Sequence, residues 1–304
     1  MGNVVVVGSI NMDIINRVER HPEPGETIHC LDTSYSPGGK GANQAVSSSL
    51  AGSSVTMIGA VGNDAFGEVL IKALHNYGVN SSAISIEEGT SGLAFITVDE
   101  AGENTIVLSH GANGKVHSDQ LSINMLKGAY AVLLQNEIPA SVNEAVMRMC
   151  REEGVLVYYN PAPAHQLNEY LYDLIDTIIL NETEAALISG LQVTDVASAE
   201  LSAAHFINKG IKNVIITLGS KGALFKSKDS REFVPAFSVK AVDTTAAGDT
   251  FIGAFAASQA SGGSVKESLV FAAAASAITV TRVGAQQSIP RKEEIEQLLN
   301  SSKL

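Results

Sequence analysis

Short β-branched runs recur along the chain, at Val4 to Val7, Val55 to Val61, Ala131 to Leu134, Val155 to Tyr159, Thr177 to Leu180 and Val214 to Leu218. They are apolar without alternation, the pattern of strands covered on both faces. Segments of helical period lie between most of them. Phe66, Val69, Leu70, Ala73, Leu74 and Tyr77 fall on one predicted helical face, with Asp64 placed to cap the helix and Gly78 to end it. A second helix is predicted from Ser141, with Glu144 completing a capping box. Its stripe is Val142, Ala145, Val146 and Met149, and Gly154 stops it. Buried strands alternating with amphipathic helices predict the α/β class, a mostly parallel sheet with helices on both sides.

Two segments break the alternation. Ile15 to Pro37 carries Pro22, Pro24 and Gly25, and Gly92 to Leu108 places Phe95, Thr97, Thr105 and Val107 around a polar turn at Asp99 to Asn104. Both predict antiparallel hairpins inserted after strands, forming either a lid over a site or an edge extension of the main sheet. No internal repeat or low-complexity linker is visible. The expected organisation is one domain over 1–304, with a small lid at about 15–37 and 92–108.

Composition narrows the function classes. With 45% hydrophobic and 17% charged residues among 304, the chain can bury a large core. Lys and Arg total 20 against 32 Asp and Glu, a formal charge of -12, which repels a nucleic-acid backbone over most of the surface. The N-terminus lacks a basic leader, and Ser276 and Thr279 interrupt the apolar stretch at 270–280, so neither a signal peptide nor a membrane span is predicted. Cys30 and Cys150 are isolated from each other in sequence, which points away from disulfide and zinc frameworks and toward a reducing, cytoplasmic setting.

Several common site signatures are missing. Gly8-Ser9-Ile10-Asn11 is not the G-x-G-x-x-G turn of dinucleotide sites, and Lys40, Lys115 and Lys221 do not complete a P-loop. No histidine pair has the spacing of a helical zinc site, and no G-x-S-x-G elbow occurs.

The informative stretch is Asp243 to Asp249, DTTAAGD, which opens an apolar helix from Thr250 to Ala257. A helix N-terminus presents unpaired N–H groups, and the small Ala246, Ala247 and Gly248 let a phosphate reach them. Asp249 beside that anion hole could take the proton of an attacking hydroxyl, although an acidic residue also suits the first turn of any helix. PGGKGANQ, Pro37 to Gln44, exposes backbone at Gly38, Gly39 and Gly41 and offers Lys40 and Asn43 to the hydroxyls of a small polar molecule. It also reads as a glycine-rich turn before a helix. Asn11 and Asp13, alternate residues after the first strand, suit vicinal hydroxyls or an Asx turn, and Glu137 repeats that placement after another strand. Asn181 and Glu184 read as an N-cap with its reciprocal glutamate, or as groups orienting waters on a nucleotide-borne Mg²⁺. Thr217 and the turn Gly219-Ser220-Lys221-Gly222 end a further strand.

Taken in order, GSINMD, PGGKGANQA, Asn136-Glu137, NETE from Asn181, TLGSKG from Thr217 and DTTAAGD resemble the ribokinase-like, PfkB-type carbohydrate kinases over nearly the whole chain. Ala246-Ala247 together with VTRVGAQQSIP, Val280 to Pro290, is more similar to the ribose-phosphorylating branch than to fructokinases or adenosine kinases. The resemblance implies a three-layer α/β/α domain with a β-sheet lid, moving the γ-phosphate of ATP to the 5-hydroxyl of D-ribose. It implies Asp249 as general base and the amides of Ala246, Ala247 and Gly248 as anion hole. Asn11, Asp13, Gly39, Lys40, Asn43, Glu137 and, from the lid, Ile96 would hold the sugar. Asn181, Glu184, Thr217, Gly219, Ser220 and Gly222 match nucleotide positions, with Glu184 reaching Mg²⁺ through water. A monovalent cation, K⁺, is implied at Asp243, Thr245, Ser288 and the carbonyls of Thr279, Arg282 and Gly284. Ala273 and Ala274 stand where relatives often carry a polar residue near the adenine. A homodimer joined through the lids is a further implication. Another sugar or nucleoside kinase of the family, or a non-catalytic sugar-binding regulator, are the alternatives.

Overall fold

The computed structural model describes residues 2–301; Met1 and 302–304 of the expected 1–304 domain lie outside the described residues. The chain begins β1 (Asn3–Val7), β2 (Asn11–Arg17), β3 (Asp32–Gly38), α1 (Lys40–Leu50), β4 (Ser54–Gly62), α2 (Ala65–Asn76) and β5 (Asn80–Glu87). It continues through β6 (Gly92–Val98), β7 (Asn104–Ser109), α3 (Ile123–Leu126), β8 (Ala129–Gln135), α4 (Ala140–Glu153), β9 (Leu156–Asn160) and β10 (Thr177–Asn181). The last elements are α5 (Glu182–Ser189), α6 (Val196–Asn208), β11 (Asn213–Thr217), β12 (Ala223–Ser227), β13 (Arg231–Val234), α7 (Ala247–Ala260), α8 (Val265–Thr279) and α9 (Lys292–Ser301).

A nine-stranded sheet runs β13-β12-β11-β10-β9-β8-β1-β4-β5. It is parallel from β11 to β5, and β12 and β13 add an antiparallel edge. Successive side chains of a strand point to opposite faces, so β1 feeds two cores. Val4 and Val6 join Val46, Phe255, Leu269 and Ile295 on one side, and Val5 and Val7 join Val146, Ala185 and Phe206 on the other. The result is the expected helix-sheet-helix sandwich. No helix among the described residues is long and apolar enough to cross a membrane.

α1 and α7 pack at backbone distance, which brings the two glycine-rich motifs together. A Cβ on Gly253 would lie 2.6 Å from the Gln44 carbonyl oxygen and 2.5 Å from Ser47 Cβ. Across this seam Ser47 Oγ donates to the Thr250 carbonyl at 2.8 Å, and Ser48 Oγ to that of Gly253 at 3.1 Å. Each hydroxyl is thereby paired on a backbone carbonyl of the other helix, which fixes the two helices in register.

The two inserted segments form a second sheet, ordered β3-β2-β6-β7. Each is an antiparallel hairpin, and β2 pairs with β6 in parallel between them. The sheet starts at Asn11 rather than near Ile15, so Asn11 and Asp13 sit in its own strand and not in a loop after β1.

Two local expectations fail. Ser141 lies inside α4, whose first turn closes instead on the Pro139 carbonyl, accepting from Val142 and Asn143 N–H; Glu144 is drawn to Arg148 and the Tyr170 hydroxyl. The buried stripe of α4 is Val142, Asn143, Val146, Met147 and Cys150, so Ala145 and Met149 lie at its margin. In α2 the cap is as expected, Asp64 accepting from Phe66 and Gly67 N–H, but Val69 is exposed because the helix lies at the sheet's edge and buries mainly Leu70 and Leu74.

Candidate active site

The site is built where β1 hands over to the second sheet. Gly39, the residue before α1, has φ +90°, and a Cβ there would fall 2.8 Å from Asn11 N and 2.9 Å from the Ser9 carbonyl oxygen. Gly41 would place a Cβ 2.7 Å from Ser9 N. Only glycine allows this approach, so PGGKG lies directly on GSIN. Ser9 Oγ donates to Glu137 Oε2 at 2.5 Å, and Lys40 N–H reaches the same oxygen at 3.3 Å. Asp13, two residues along β2 from Asn11, packs its carboxylate against Gly38, whose missing Cβ would meet Asp13 Oδ2 at 2.1 Å. Ile96 is half-buried on β6 and lies on the same face as Asn11 and Asp13.

Asp249, in the first turn of α7, is buried and held by two amides of α1. Asn43 Nδ2 donates to Oδ2 at 3.1 Å and Gln44 Nε2 to Oδ1 at 3.0 Å. The turn before it is strained, since Ala246 has φ +59°, the one positive value among described non-glycine residues. That turn aims the helix amides outward. Ala247 N–H is taken by the Thr244 carbonyl at 3.2 Å, whereas the N–H groups of Ala246, Gly248 and Asp249 find no acceptor among the described residues. The open donors therefore differ from the expected trio by the exchange of Ala247 for Asp249 itself. A Cβ on Gly248 would meet nothing within 4 Å, so the backbone at that residue borders open space.

Three carboxylates, Asp13, Glu137 and Asp249, share one side of the site. Burial, then the charges of Glu137 and Asp249, push the Asp13 carboxyl up to about 7. Burial would lower the Lys40 ammonium, but Asp249, Glu137 and Glu184 outweigh it and hold the ammonium above its usual range. Lys40 therefore stays protonated.

A cleft of about 210 Å³ continues from Asp249 toward the β10 and β11 ends, lined by Lys40, Asn160, Asn181, Glu184, Thr217 and Gly248 among others. Asn181 and Glu184 form a complete capping box on α5: Asn181 Oδ1 accepts from Glu184 N–H at 2.8 Å and Glu184 Oε2 from Asn181 N–H at 3.0 Å. Burial pushes the Glu184 carboxyl up against the opposing backbone bond. Its Oε1 is left without a hydrogen bond, a hard oxygen at the cleft wall that fits a hydrated Mg²⁺. Gly219, Ser220 and Gly222 form the turn after Thr217 and do not line the cleft. Ala274 is wholly buried in the core, on the side of α8 that faces other apolar residues, so it reads no adenine edge; Ala273 is half-buried and outside the cleft wall.

The loop after α8 packs beside the turn that opens α7. Asp243 Oδ1 accepts from Thr245 N–H and Oγ1, and Oδ2 accepts from Gly284 N–H at 2.8 Å. Ser288 is buried, and its hydroxyl donates to the Ala285 carbonyl. The Thr279 carbonyl accepts from Arg282 N–H, whereas the carbonyls of Arg282 and Gly284 accept no hydrogen bond among the described residues. Two free carbonyls beside a carboxylate make an all-oxygen set that fits a monovalent cation.

Sequence reading missed the supporting amides. Gln44 Oε1 accepts from Gln135 Nε2 at 2.7 Å, which turns the Gln44 NH₂ group toward Asp249. Asn160 donates to the Ile179 carbonyl and, at 3.5 Å, to Glu184 Oε2, linking the end of β9 to the cleft wall at α5. Gln44 stands in PGGKGANQ, one residue past Asn43; Gln135 and Asn160 end apolar strands, where a lone amide was the available signal.

The chain belongs to the pfkB family of carbohydrate kinases, whose model matches residues 1–292. It is 43% identical to the ribokinase of Schizosaccharomyces pombe, covering 100% of this chain and 99% of that one. It is 39% identical to the ribokinase of Haemophilus influenzae, over 97% of this chain and 98% of the other. A solved structure of Arabidopsis thaliana ribokinase complexed with ribose and ATP superposes with a TM-score of 0.91, at 33% identity, covering 98% of this chain and 99% of that one.

Proposed function

We propose that this protein is an ATP-dependent D-ribose kinase that yields D-ribose 5-phosphate and ADP. The observation that carries the reading is Asp249, fixed by Asn43 and Gln44 next to the free amides of Gly248 and of its own backbone. In that arrangement Asp249 takes the 5-hydroxyl proton as the oxygen bonds to the γ-phosphorus and the bond to ADP breaks. The α7 amides and Lys40 meet the charge on the migrating phosphoryl group, so positioning and electrostatics supply most of the rate. Asn11, Asp13, Gly39, Lys40, Asn43 and Glu137 hold the sugar, with Ile96 as an apolar contact. Asn181, Glu184 and Thr217 hold the nucleotide in the cleft, and the Gly219, Ser220 and Gly222 turn meets the part of it that extends past the cleft wall. Mg²⁺, reached by Glu184 through water, would neutralise phosphate charge when bound. K⁺ at the Asp243 to Ser288 loop would brace the turn that aims the amides. The second sheet acts as a lid on one domain, two copies join through these lids, and the unpaired thiols Cys30 and Cys150 suit the cytoplasm.

The test is an ADP-release assay across D-ribose, 2-deoxy-D-ribose, hexoses and nucleosides, with and without K⁺. D-ribose is expected to give the highest kcat/KM, with a lower rate when a large organic cation replaces K⁺. A higher kcat/KM on another sugar moves the substrate assignment, and ribose binding without turnover at saturating Mg²⁺ and K⁺ overturns the kinase reading.

A further inference from the structure

We propose that Asn113 is a positioning residue for sugar recognition: it fixes the Asn11 amide so that only its NH₂ group faces the substrate. This rests on the sugar-kinase reading above. Asn113 lies in the turn Gly111–Lys115 where the chain returns from the second sheet to the main fold, and it is 2% exposed. Its Oδ1 accepts from Ile10 N–H at 2.9 Å. Its Nδ2 donates to the Ile10 carbonyl at 3.3 Å and to Asn11 Oδ1 at 2.6 Å.

The polarity of this chain of bonds has one solution. A backbone N–H can only donate, so Ile10 holds the Asn113 oxygen toward itself and turns the Asn113 NH₂ toward Asn11. Asn11 must then offer its oxygen to Asn113 and its NH₂ elsewhere. That NH₂ makes no hydrogen bond among the described residues and is not sealed from solvent. Asn11 thus presents donors alone, two residues from Asp13 on the same face of β2, whose carboxylate also has no protein hydrogen bond. A donor beside an acceptor reads adjacent hydroxyls in a fixed sense. Gly92 makes room for the pair, since a Cβ there would lie 2.1 Å from Asn113 Nδ2 and 2.3 Å from Asn11 Oδ1.

The same contacts tie three crossings between the sheets: Ile10-Asn11, Gly92 and the return turn. Lid position and amide orientation are therefore set by one side chain, which a packing role alone would not require.

Asn113→Asp separates the two roles, because a carboxylate still accepts from Ile10 N–H but cannot donate to Asn11. The expected result is a rise of about tenfold to a hundredfold in KM for ribose, the loss of one or two oriented hydrogen bonds, with kcat and KM for ATP within threefold. Discrimination between ribose and pentoses that lack or invert one hydroxyl should narrow. In an Asn11→Ala background the same substitution should change KM less than twofold. Parallel losses in kcat, ribose KM and ATP KM, or an undiminished effect without the Asn11 side chain, would overturn the proposal. Asparagine-selective ¹⁵N labelling supplies a readout independent of turnover. The Asn113 side-chain protons should exchange slowly in wild type and rapidly in Asn11→Ala; fast exchange in wild type overturns the assignment. A wild type inactive on ribose with a protected Asn113 amide would instead refute the substrate and leave the amide geometry standing.

Discussion

Asp249 is the residue on which chemistry and structure meet. Its two oxygens are committed to Asn43 and Gln44, so its lone pairs keep one bearing toward the cleft. Asp249→Asn should retain sugar binding and lower kcat about 10²-fold to 10⁴-fold, the range for a lost general base; near-normal turnover under saturating substrates would remove it from that role. Asp13 carries a different liability. Its carboxyl is pushed from 3.8 to about 7 in the folded protein, so between those pH values the folded state binds more protons than the unfolded one. Asp13's contribution to stability must then fall as pH rises through that window, by an amount on the order of a few kcal/mol. Asp13→Asn removes the titration: thermal melts of the free enzyme should show the variant gaining on wild type from pH 4 to pH 8. A constant difference across that range would mean Asp13 is ionised throughout.

At the scale of elements, α7 depends on a turn that its sequence disfavours. Ala246 in the left-handed region costs about 1–2 kcal/mol, and a β-branched side chain there costs more. Ala246→Gly should therefore keep kcat within about threefold, while Ala246→Val should lower both the melting temperature and kcat, the latter more than tenfold, because the helix amides lose their bearing. Equal kcat in the two variants would show that the turn does not aim the amides. The elements themselves were largely legible. Unbroken β-branched runs such as Val4 to Val7 can only be doubly covered strands, and Asp64 with Gly78 bracketed α2 because caps are local chemistry. α4 was misjudged at its start because Ser141 and Glu144 fit a capping box, while Pro139 and the Arg148 partner decide the outcome through contacts the pattern does not carry. Asn113 and Gln135 escaped for the same reason, since their roles exist only when segments more than ninety residues apart meet.

Across the whole molecule, the second sheet has more apolar surface than one chain can cover. Tyr35, Ile14, Phe95 and Val107 lie in a cross-strand row on one face, with Tyr35, Phe95 and Val107 at 60%, 42% and 66% exposure. Ile15, Ile96 and Ile106 form the corresponding row on the face shared with Asp13, and Ile106 is 54% exposed. Among the described residues the one aromatic ring that Tyr35 meets is Phe66 of α2, at 5.9 Å between ring centres. Strands β3 and β7 are also open edges, which isolated sheets rarely leave uncovered. A second copy applied through one face of the same sheet would cover the row on that face by symmetry, each of its side chains counting twice. Burying an exposed aliphatic side chain stabilises by about 1–2 kcal/mol, so replacing Ile106 and Val107 together with Asp should weaken the pair more than about a hundredfold. Sedimentation should show wild type as a dimer and the double variant as a monomer at micromolar concentration. Because the two residues point to opposite faces of β7, whichever single substitution dissociates the dimer names the face that docks. If it is Ile106, whose row includes Ile96, dimer loss should also raise KM for the sugar. A double variant that remains dimeric would place the contact away from the lid.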